Sequence, residues 1–238
     1  RVLVCDNVSA KGVACLEACP ELEVCVVEGG LTDELLAEAE GIVVRSATKI
    51  TTEVMAKAPK LRVVGRAGVG VDNVDVDAAT SRGIVVMNTP AGNTISTAEL
   101  TFSMMMALAR KIPQAHVSMK NGGWDRKAYA GTELSGKSLG VCGMGRIGGQ
   151  MARRAIAFGM RVLAYDPYLS LGKARELQVE LLELDELMAR ADFITVHMPL
   201  TDQTRDMINA ESIAGMKDGV YLVNCARGGI INETDLLE

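Results

Sequence analysis

An apolar run that breaks into closely spaced glycines and restarts as a helix restricts a chain more than its composition does. Residues 138–148 are such a run, Ser138-Leu139-Gly140-Val141-Cys142 followed by Gly143-Met144-Gly145-Arg146-Ile147-Gly148. The apolar part predicts a buried strand, and helical spacing carries on to about residue 158, just before Gly159. The next apolar run, 161–165, ends at Asp166, 18 residues past Gly148. In this setting each glycine has a distinct task. Gly143 makes the tight turn, Gly145 lets the backbone approach a pyrophosphate, and Gly148 allows close helix–strand packing. The helix N-terminus faces the phosphates and Asp166 accepts from a ribose 2′-hydroxyl. An acid followed by Pro167-Tyr168, with no Arg, favours NAD over NADP, whose 2′-phosphate it would repel. A bare G-x-G-x-x-G is common; the strand before it, the helix after it and the acid beyond are what give this one weight.

The same alternation fills the chain. Short apolar runs at 2–5, 23–27, 41–44, 61–64 and 84–86 predict strands, and 9–18, 32–39, 51–57 and 75–81 predict helices. Thr32-Asp33-Glu34 and Thr51-Thr52-Glu53 mark helix starts. A breaker cluster, Asn88-Thr89-Pro90-Ala91-Gly92-Asn93, reads as a hinge. Beyond it, strands are expected at 138–142, 161–165, 192–196 and 220–224, and helices at 146–158, 183–190 and 209–214. Another helix begins near Asp235. Buried strands alternating with helices mean an α/β fold whose parallel sheets are covered on both faces. One long helix is expected from about 95 to 120, apolar at Leu100, Met104, Met105, Leu108, Ile112 and Ala115. Phe102, Met106 and Ala109 add a second apolar face, so the helix should be buried on several sides, in its own domain or across a subunit interface. Pro113 should kink it.

Composition removes several function classes. The 238 residues carry a net charge of −5 with no long basic run, so a nucleic-acid footprint is missing. The longest nearly apolar stretch, 102–109, is far short of a membrane span. Two histidines are too few for a structural zinc site, and no metal is expected. The six cysteines are scattered, with Cys15 and Cys19 the one close pair, which fits packing roles in the reducing cytoplasm.

A rival motif, Gly131-Thr132-Glu133-Leu134-Ser135-Gly136-Lys137-Ser138, matches the Walker A pattern, but a strand follows it where a P-loop requires a helix. A second glycine cluster, Gly65-Arg66-Ala67-Gly68-Val69-Gly70-Val71-Asp72-Asn73, follows a strand and offers backbone amides for an anion. The loop Arg45-Ser46-Ala47-Thr48-Lys49 follows another strand, and ligands of open parallel sheets bind beyond such ends. Solvated surface charge is the alternative for Arg45, Lys49 and Arg66. Asn224-Cys225-Ala226-Arg227-Gly228-Gly229 sets a cation at the end of a strand, suited to bidentate binding of a substrate carboxylate, with a structural ion pair as the alternative. Oxidation of an alcohol needs a proton acceptor. His197, between a strand and Met198-Pro199, reads as a positioning group more than as that base, and His116 as a surface or interface residue.

These motifs, in this order along the whole chain, resemble the D-isomer-specific 2-hydroxyacid dehydrogenases. The Arg45-Ser46 loop and the stretch from Ser118-Met119-Lys120 through Trp124-Asp125-Arg126 to Leu134 are narrower and are similar to the family's phosphoglycerate branch. The resemblance implies a flavodoxin-like substrate domain, residues 1–89, and a Rossmann-type NAD-binding domain, residues 93–238, both completed by segments beyond Glu238. It implies a homodimer or higher homo-oligomer formed through the 95–120 helix, with Trp124 and Arg126 reaching a partner's cleft. Arg227 would be the catalytic arginine on the substrate carboxylate, assisted by Gly68, Val69 and Asn93. Arg45, Ser46 and Arg66 would hold a distal phosphate. Arg146, Ile147, Asp166, Met198, Cys225 and Ala226 would line the NAD site together with Gly143, Gly145, Gly148 and Val69. The family often has hydroxyl residues where Val69 and Met198 stand, so backbone or packing contact replaces a side-chain hydrogen bond at both. The general-base His and its Glu partner would lie downstream of Arg227. The implied activity is NAD-dependent oxidation of D-3-phosphoglycerate, with glyoxylate or hydroxypyruvate reduction, or an NAD-sensing co-repressor role, as alternatives.

Overall fold

A computed structural model describes residues 1–238, which divide into two compact units, Arg1–Asn93 and Thr94–Glu238. In the first, β1 (Val2–Val4), β2 (Val24–Val26), β3 (Gly41–Val44), β4 (Val63–Arg66) and β5 (Val85–Asn88) form one parallel sheet in the order β2-β1-β3-β4-β5. The helices between them are α1 (Ala10–Glu17), α2 (Asp33–Ala37), α3 (Thr52–Ala56) and α4 (Val76–Ser81). All four begin where a side chain caps the first turn: Ser9, Thr32, Thr51 and Asp75 each accept a backbone N–H. Leu3, Ile42, Val44 and Val64 of the sheet are fully buried among Leu36, Met55 and Ala79 of the helices. This strand order is the flavodoxin-like one, and it reverses direction between β1 and β3.

The second unit holds β6 (Ser138–Cys142), β7 (Arg161–Tyr165), β8 (Glu180–Leu181), β9 (Phe193–Val196) and β10 (Tyr221–Asn224), all parallel, in the order β10-β9-β6-β7-β8. Its helices are α5 (Thr94–Ala109), α6 (Ile112–Lys120), α7 (Arg146–Ala157), α8 (Leu171–Glu176), α9 (Leu184–Arg190), α10 (Ala210–Ala214) and α11 (Glu233–Leu237). Every residue of β6 is buried, because its two faces are covered by different helices. Leu139 and Val141 pack with Met105 and Met151, while Cys142 packs with Leu187 and Met188. Gly140 lies so close to α9 that a Cβ there would meet Leu187 Cδ2 at 2.6 Å. α7 buries Gly148, Met151, Ala152 and Ala155, a 3–4 spacing, with Met151 alone contributing about 1.5–3 kcal/mol of apolar burial. The order is Rossmann-type and reverses between β6 and β9.

Four features differ from the sequence reading. The expected strand 61–64 lies two residues later, so Arg66 ends a strand instead of entering a loop. The short α8 and the two-residue β8 carry little apolar periodicity and escape it. The expected 95–120 helix is two helices, broken at Arg110-Lys111, where Lys111 is left-handed at φ 51°. The returning chain makes the break: the Thr132 N–H takes the Ala109 carbonyl at 2.8 Å, and a Cβ on Gly131 would meet that oxygen at 2.5 Å. Pro113 therefore lies in the first turn of α6, where its missing N–H costs nothing, and kinks no helix. Finally, α5 is buried on one face only, through Ala98, Thr101, Met105 and Ala109. Leu100, Met104 and Leu108 stand exposed, so the helix is not an internal core helix of its unit.

Candidate nucleotide and substrate sites

The glycine turn follows β6 at the carboxyl edge of the second sheet. Gly143 has φ 95°, which favours glycine, and its N–H donates to Tyr165 O at 2.8 Å. A Cβ there would also meet Met198 Cγ at 2.6 Å and His197 O at 2.8 Å, so the ends of β6 and β9 close on each other only because this residue is glycine. A Cβ on Gly148 would overlap the Gly143 carbonyl oxygen, which is why α7 can start so near the turn. Gly145 differs: a Cβ there would meet nothing within 4 Å. It caps α7 without any side-chain hydrogen bond, leaving the first amides of a 12-residue helix to an external acceptor. That arrangement fits a pyrophosphate.

Asp166, just past β7, accepts the Met144 N–H on Oδ2 at 2.7 Å and the Tyr168 N–H on Oδ1 at 2.8 Å. A carboxylate has about four acceptor sites, so both oxygens retain capacity for hydroxyls. Arg146 is exposed on the first turn of α7, and Ile147 and Met198 are half-buried beside the same turn. His197 donates its backbone N–H to Cys142 O at 2.8 Å. Its imidazole Nε2 lies 3.1 Å from the Thr195 hydroxyl, and its Nδ1 is buried without a hydrogen-bond partner. Burial pushes its pKa down to about 4, so His197 is a neutral, enclosed imidazole.

At the end of β10, one side chain shapes the turn. Asn224 Nδ2 donates to Arg227 O at 2.8 Å, and Asn224 Oδ1 accepts the Ala226 N–H at 2.9 Å. Arg227 Nη1 donates to Ala226 O at 2.8 Å. Asn224, Cys225, Ala226 and Arg227, with Leu222 and Glu233, line a cavity of about 360 Å³. Gly131–Lys137 is a loop leading straight into β6, so the Walker-like sequence has no helix after it and makes no P-loop.

In the first unit the loops after β1, β3 and β4 are tied together. Asp6 accepts the Arg45 N–H at 2.8 Å and the Thr48 hydroxyl at 2.6 Å, across the point where the strand order reverses. Burial alone would raise the Asp6 pKa, but the bonds from Thr48, Arg45 and Ala47 outweigh it and hold it below the usual carboxylate value. Asn73 Nδ2 donates to Arg45 O at 2.9 Å and Thr48 O at 2.6 Å, while its Oδ1 accepts from Arg66 Nε at 3.0 Å. The Arg66 guanidinium lies over Gly68, where a Cβ would overlap it. Asn88 Nδ2 donates to Val69 O at 2.6 Å and the Thr89 N–H donates to Gly68 O at 2.9 Å, so the Gly68-Val69 backbone is fixed from β5. Arg45 and Ser46 are exposed beside this frame, and Asn93 is exposed at the end of the unit. Within the first unit Arg45, Ser46, Arg66, Gly68 and Val69 thus share the carboxyl end of one sheet. The sequence reading missed Asp6 and Asn224 as the residues that shape these loops. Each is a short polar side chain at or just beyond a strand's carboxyl end, which was the available signal.

Residues 102–238 match the model of the D-isomer specific 2-hydroxyacid dehydrogenase NAD binding domain. The chain is 52% identical over 243 residues to the D-3-phosphoglycerate dehydrogenase of Methanocaldococcus jannaschii, covering 100% of this chain and 46% of that protein. It is 49% identical to the D-3-phosphoglycerate dehydrogenase of Bacillus subtilis, covering 100% of this chain and 45% of that one. It thus spans about half the length of these curated relatives. The D-lactate dehydrogenase of Aquifex aeolicus, solved with NAD and lactic acid, superposes with a TM-score of 0.91 at 34% identity, covering 99% of this chain and 72% of that one. With the family model matched over more than half its length and the glycine turn and Asp166 in place, the chain belongs to the D-isomer specific 2-hydroxyacid dehydrogenase family.

Proposed function

We propose that this chain serves the NAD-dependent oxidation of D-3-phosphoglycerate to 3-phosphohydroxypyruvate, the entry step to serine. The observation that carries the reading is the Gly143–Gly148 turn braced by Asp166, in a chain about half identical to enzymes of that name. Bound NAD supplies the hydride acceptor for C2 of the substrate. The open side of Gly145 and the uncapped amides of α7 receive its pyrophosphate, and Asp166 accepts from the adenosine ribose. Arg146, Ile147, Met198, Cys225 and Ala226 line the rest of the nucleotide. Arg227 presents a planar guanidinium to the substrate carboxylate. In the first unit, Arg45, Ser46 and Arg66 take the phosphate, and Gly68, Val69 and Asn93 offer polar contacts to the carboxylate end. His197, which burial holds at a pKa of about 4, is a weak base, and the family resemblance puts the proton acceptor downstream of Arg227.

The same reading includes a homodimer formed through the exposed stripe Leu100, Met104 and Leu108 of α5, with Trp124 and Arg126 turned to the partner. It also includes a cytoplasmic setting, supported by six free cysteines. Cys142 and Cys5 are pushed by burial to about 12 and about 11, which makes both thiols inert. The test is NAD reduction by the full-length protein with D-3-phosphoglycerate, D-glycerate, D-lactate and, in reverse, glyoxylate and hydroxypyruvate. Arg45→Ala should selectively impair the phosphorylated substrate. Equal use of phosphorylated and unphosphorylated acids would refute the phosphoglycerate assignment.

A further inference from the structure

The loop between β9 and α10 is organised around one buried hydroxyl. Thr204 is 8% exposed; its Oγ1 donates to Pro199 O at 2.6 Å and accepts the Thr201 N–H at 2.8 Å. The Thr201 carbonyl in turn accepts the Arg205 N–H at 2.9 Å. The stem of this loop is then zipped to the segment that follows Arg227. The Asp206 N–H donates to Gly229 O at 2.8 Å, the Ile208 N–H to Ile230 O at 3.1 Å, and the Asn232 N–H to Ile208 O at 2.8 Å. Ile208 and Ile230 are fully buried, so these bonds are shielded from water.

The top of the loop meets the same segment through a side chain. Gly229, at φ 81°, has the Leu200 methyls 3.6 Å from where a Cβ would stand. Met198 opens the loop beside the glycine turn, and Arg227 lies two residues before Gly229. Pro199, which the Thr204 hydroxyl holds, therefore sits between a nucleotide-lining residue and the side chain that covers Gly229.

We propose that Thr204 is a positioning residue that sets the Met198 loop and the Arg227 turn relative to each other, so that nucleotide and carboxylate contacts are fixed together. The roles of Met198 and Arg227 rest on the proposed function; the mechanical link rests on the hydrogen bonds above. Thr204→Val keeps the volume and removes the hydroxyl's bonds to Pro199 O, to the Thr201 N–H and to the Thr201 hydroxyl, whereas Thr204→Ser keeps them. Thr201→Val serves as a local control, because it leaves the bond from Thr204 to Pro199 O in place.

The experiment is hydrogen exchange and NADH titration on the full-length protein. In Thr204→Val, exchange should rise about tenfold at Asp206, Ile208 and Asn232, the amides that donate across the zipper, while β6 keeps its protection, and the NADH dissociation constant should rise about three- to tenfold. Thr204→Ser should restore both, and Thr201→Val should alter exchange only within 199–207. A rise confined to 199–207, a uniform rise that includes β6, or an unchanged NADH constant overturns the proposal. If Thr204→Val does not fold, Leu200→Ala poses the same question from the other side of the contact, with the same readouts. Absence of D-3-phosphoglycerate turnover in the unaltered protein strikes the functional reading alone, because the exchange result does not depend on the substrate.

Discussion

The Asp166 carboxylate accepts the Met144 N–H at 2.7 Å, so the acid that follows β7 holds the glycine turn that follows β6. One side chain thus braces the turn and, in the proposed function, offers its remaining acceptor capacity to a nucleotide ribose. Asp166→Ala should raise the NADH dissociation constant and also lower unfolding stability by about 1–3 kcal/mol, the cost of leaving that buried N–H without its charged acceptor. Fluorescence titration and denaturant melts check the two effects. A weakened cofactor with unchanged stability would show that the brace contributes nothing.

The glycines should separate by readout. Gly145→Ala adds a methyl to open space, so the melting temperature should hold while NADH binding weakens. Gly148→Ala drives a methyl into the Gly143 carbonyl, so stability should fall by about 1–3 kcal/mol or more. Thermal melts of the two variants side by side decide it. Equal melting temperatures would contradict the packing role of Gly148.

Arg227→Ala should lower turnover of D-3-phosphoglycerate far more than it alters NADH affinity, because the guanidinium is assigned to the substrate. Asn224→Ala should give a milder version, mainly a raised KM, since it frees the turn without removing the cation. Steady-state kinetics with a separate NADH titration check both. Parallel loss of NADH binding would move Arg227 to the cofactor.

Acid should unfold the second unit through His197 before it reaches the carboxylates. The folded imidazole has a pKa of about 4 against an ordinary 6.5, so the native state excludes a proton that the unfolded chain accepts. Its contribution is fully present above pH 6.5, shrinks as pH falls, and is lost by about pH 4, a total of roughly 3 kcal/mol. Asp192, held near 2 against burial by bonds from Ser138 and Lys217, loses its contribution only below pH 3.8. Denaturant melts from pH 7 to pH 4 should therefore flatten in His197→Asn and stay steep in Asp192→Asn.

Met104→Glu combined with Leu108→Glu places charge on the exposed stripe of α5, where the side chains are 53% and 42% exposed. Sedimentation should show a monomer with unchanged far-ultraviolet circular dichroism. A dimer that persists would put the subunit contact elsewhere.

The elements that were legible in advance are the locally encoded ones. β3, β6 and β7 begin and end where their apolar runs do, and Thr32 and Thr51 cap helices where the residues themselves announce a start. The glycine turn was legible because a tight turn, a close approach and a helix start each demand glycine at a stated position. By contrast, α8 and β8 are too short for a period to emerge, and β4 slid because Val63 and Val64 could open or close a strand with equal local preference.

Sequence alone therefore determined the α/β alternation, the helix starts, the glycine turn and the family resemblance, all properties of neighbouring residues. Tertiary structure decided what those neighbours do. It broke the 95–120 helix at Lys111 because a chain returning at Thr132 claims the Ala109 carbonyl. It set Asp6 against Thr48, Asn73 against Arg45, and Asp166 against Met144. A hydrogen bond between residues tens of positions apart depends on which strands lie side by side and in what register. Local propensity does not carry that, and only the assembled sheets bring the partners within reach.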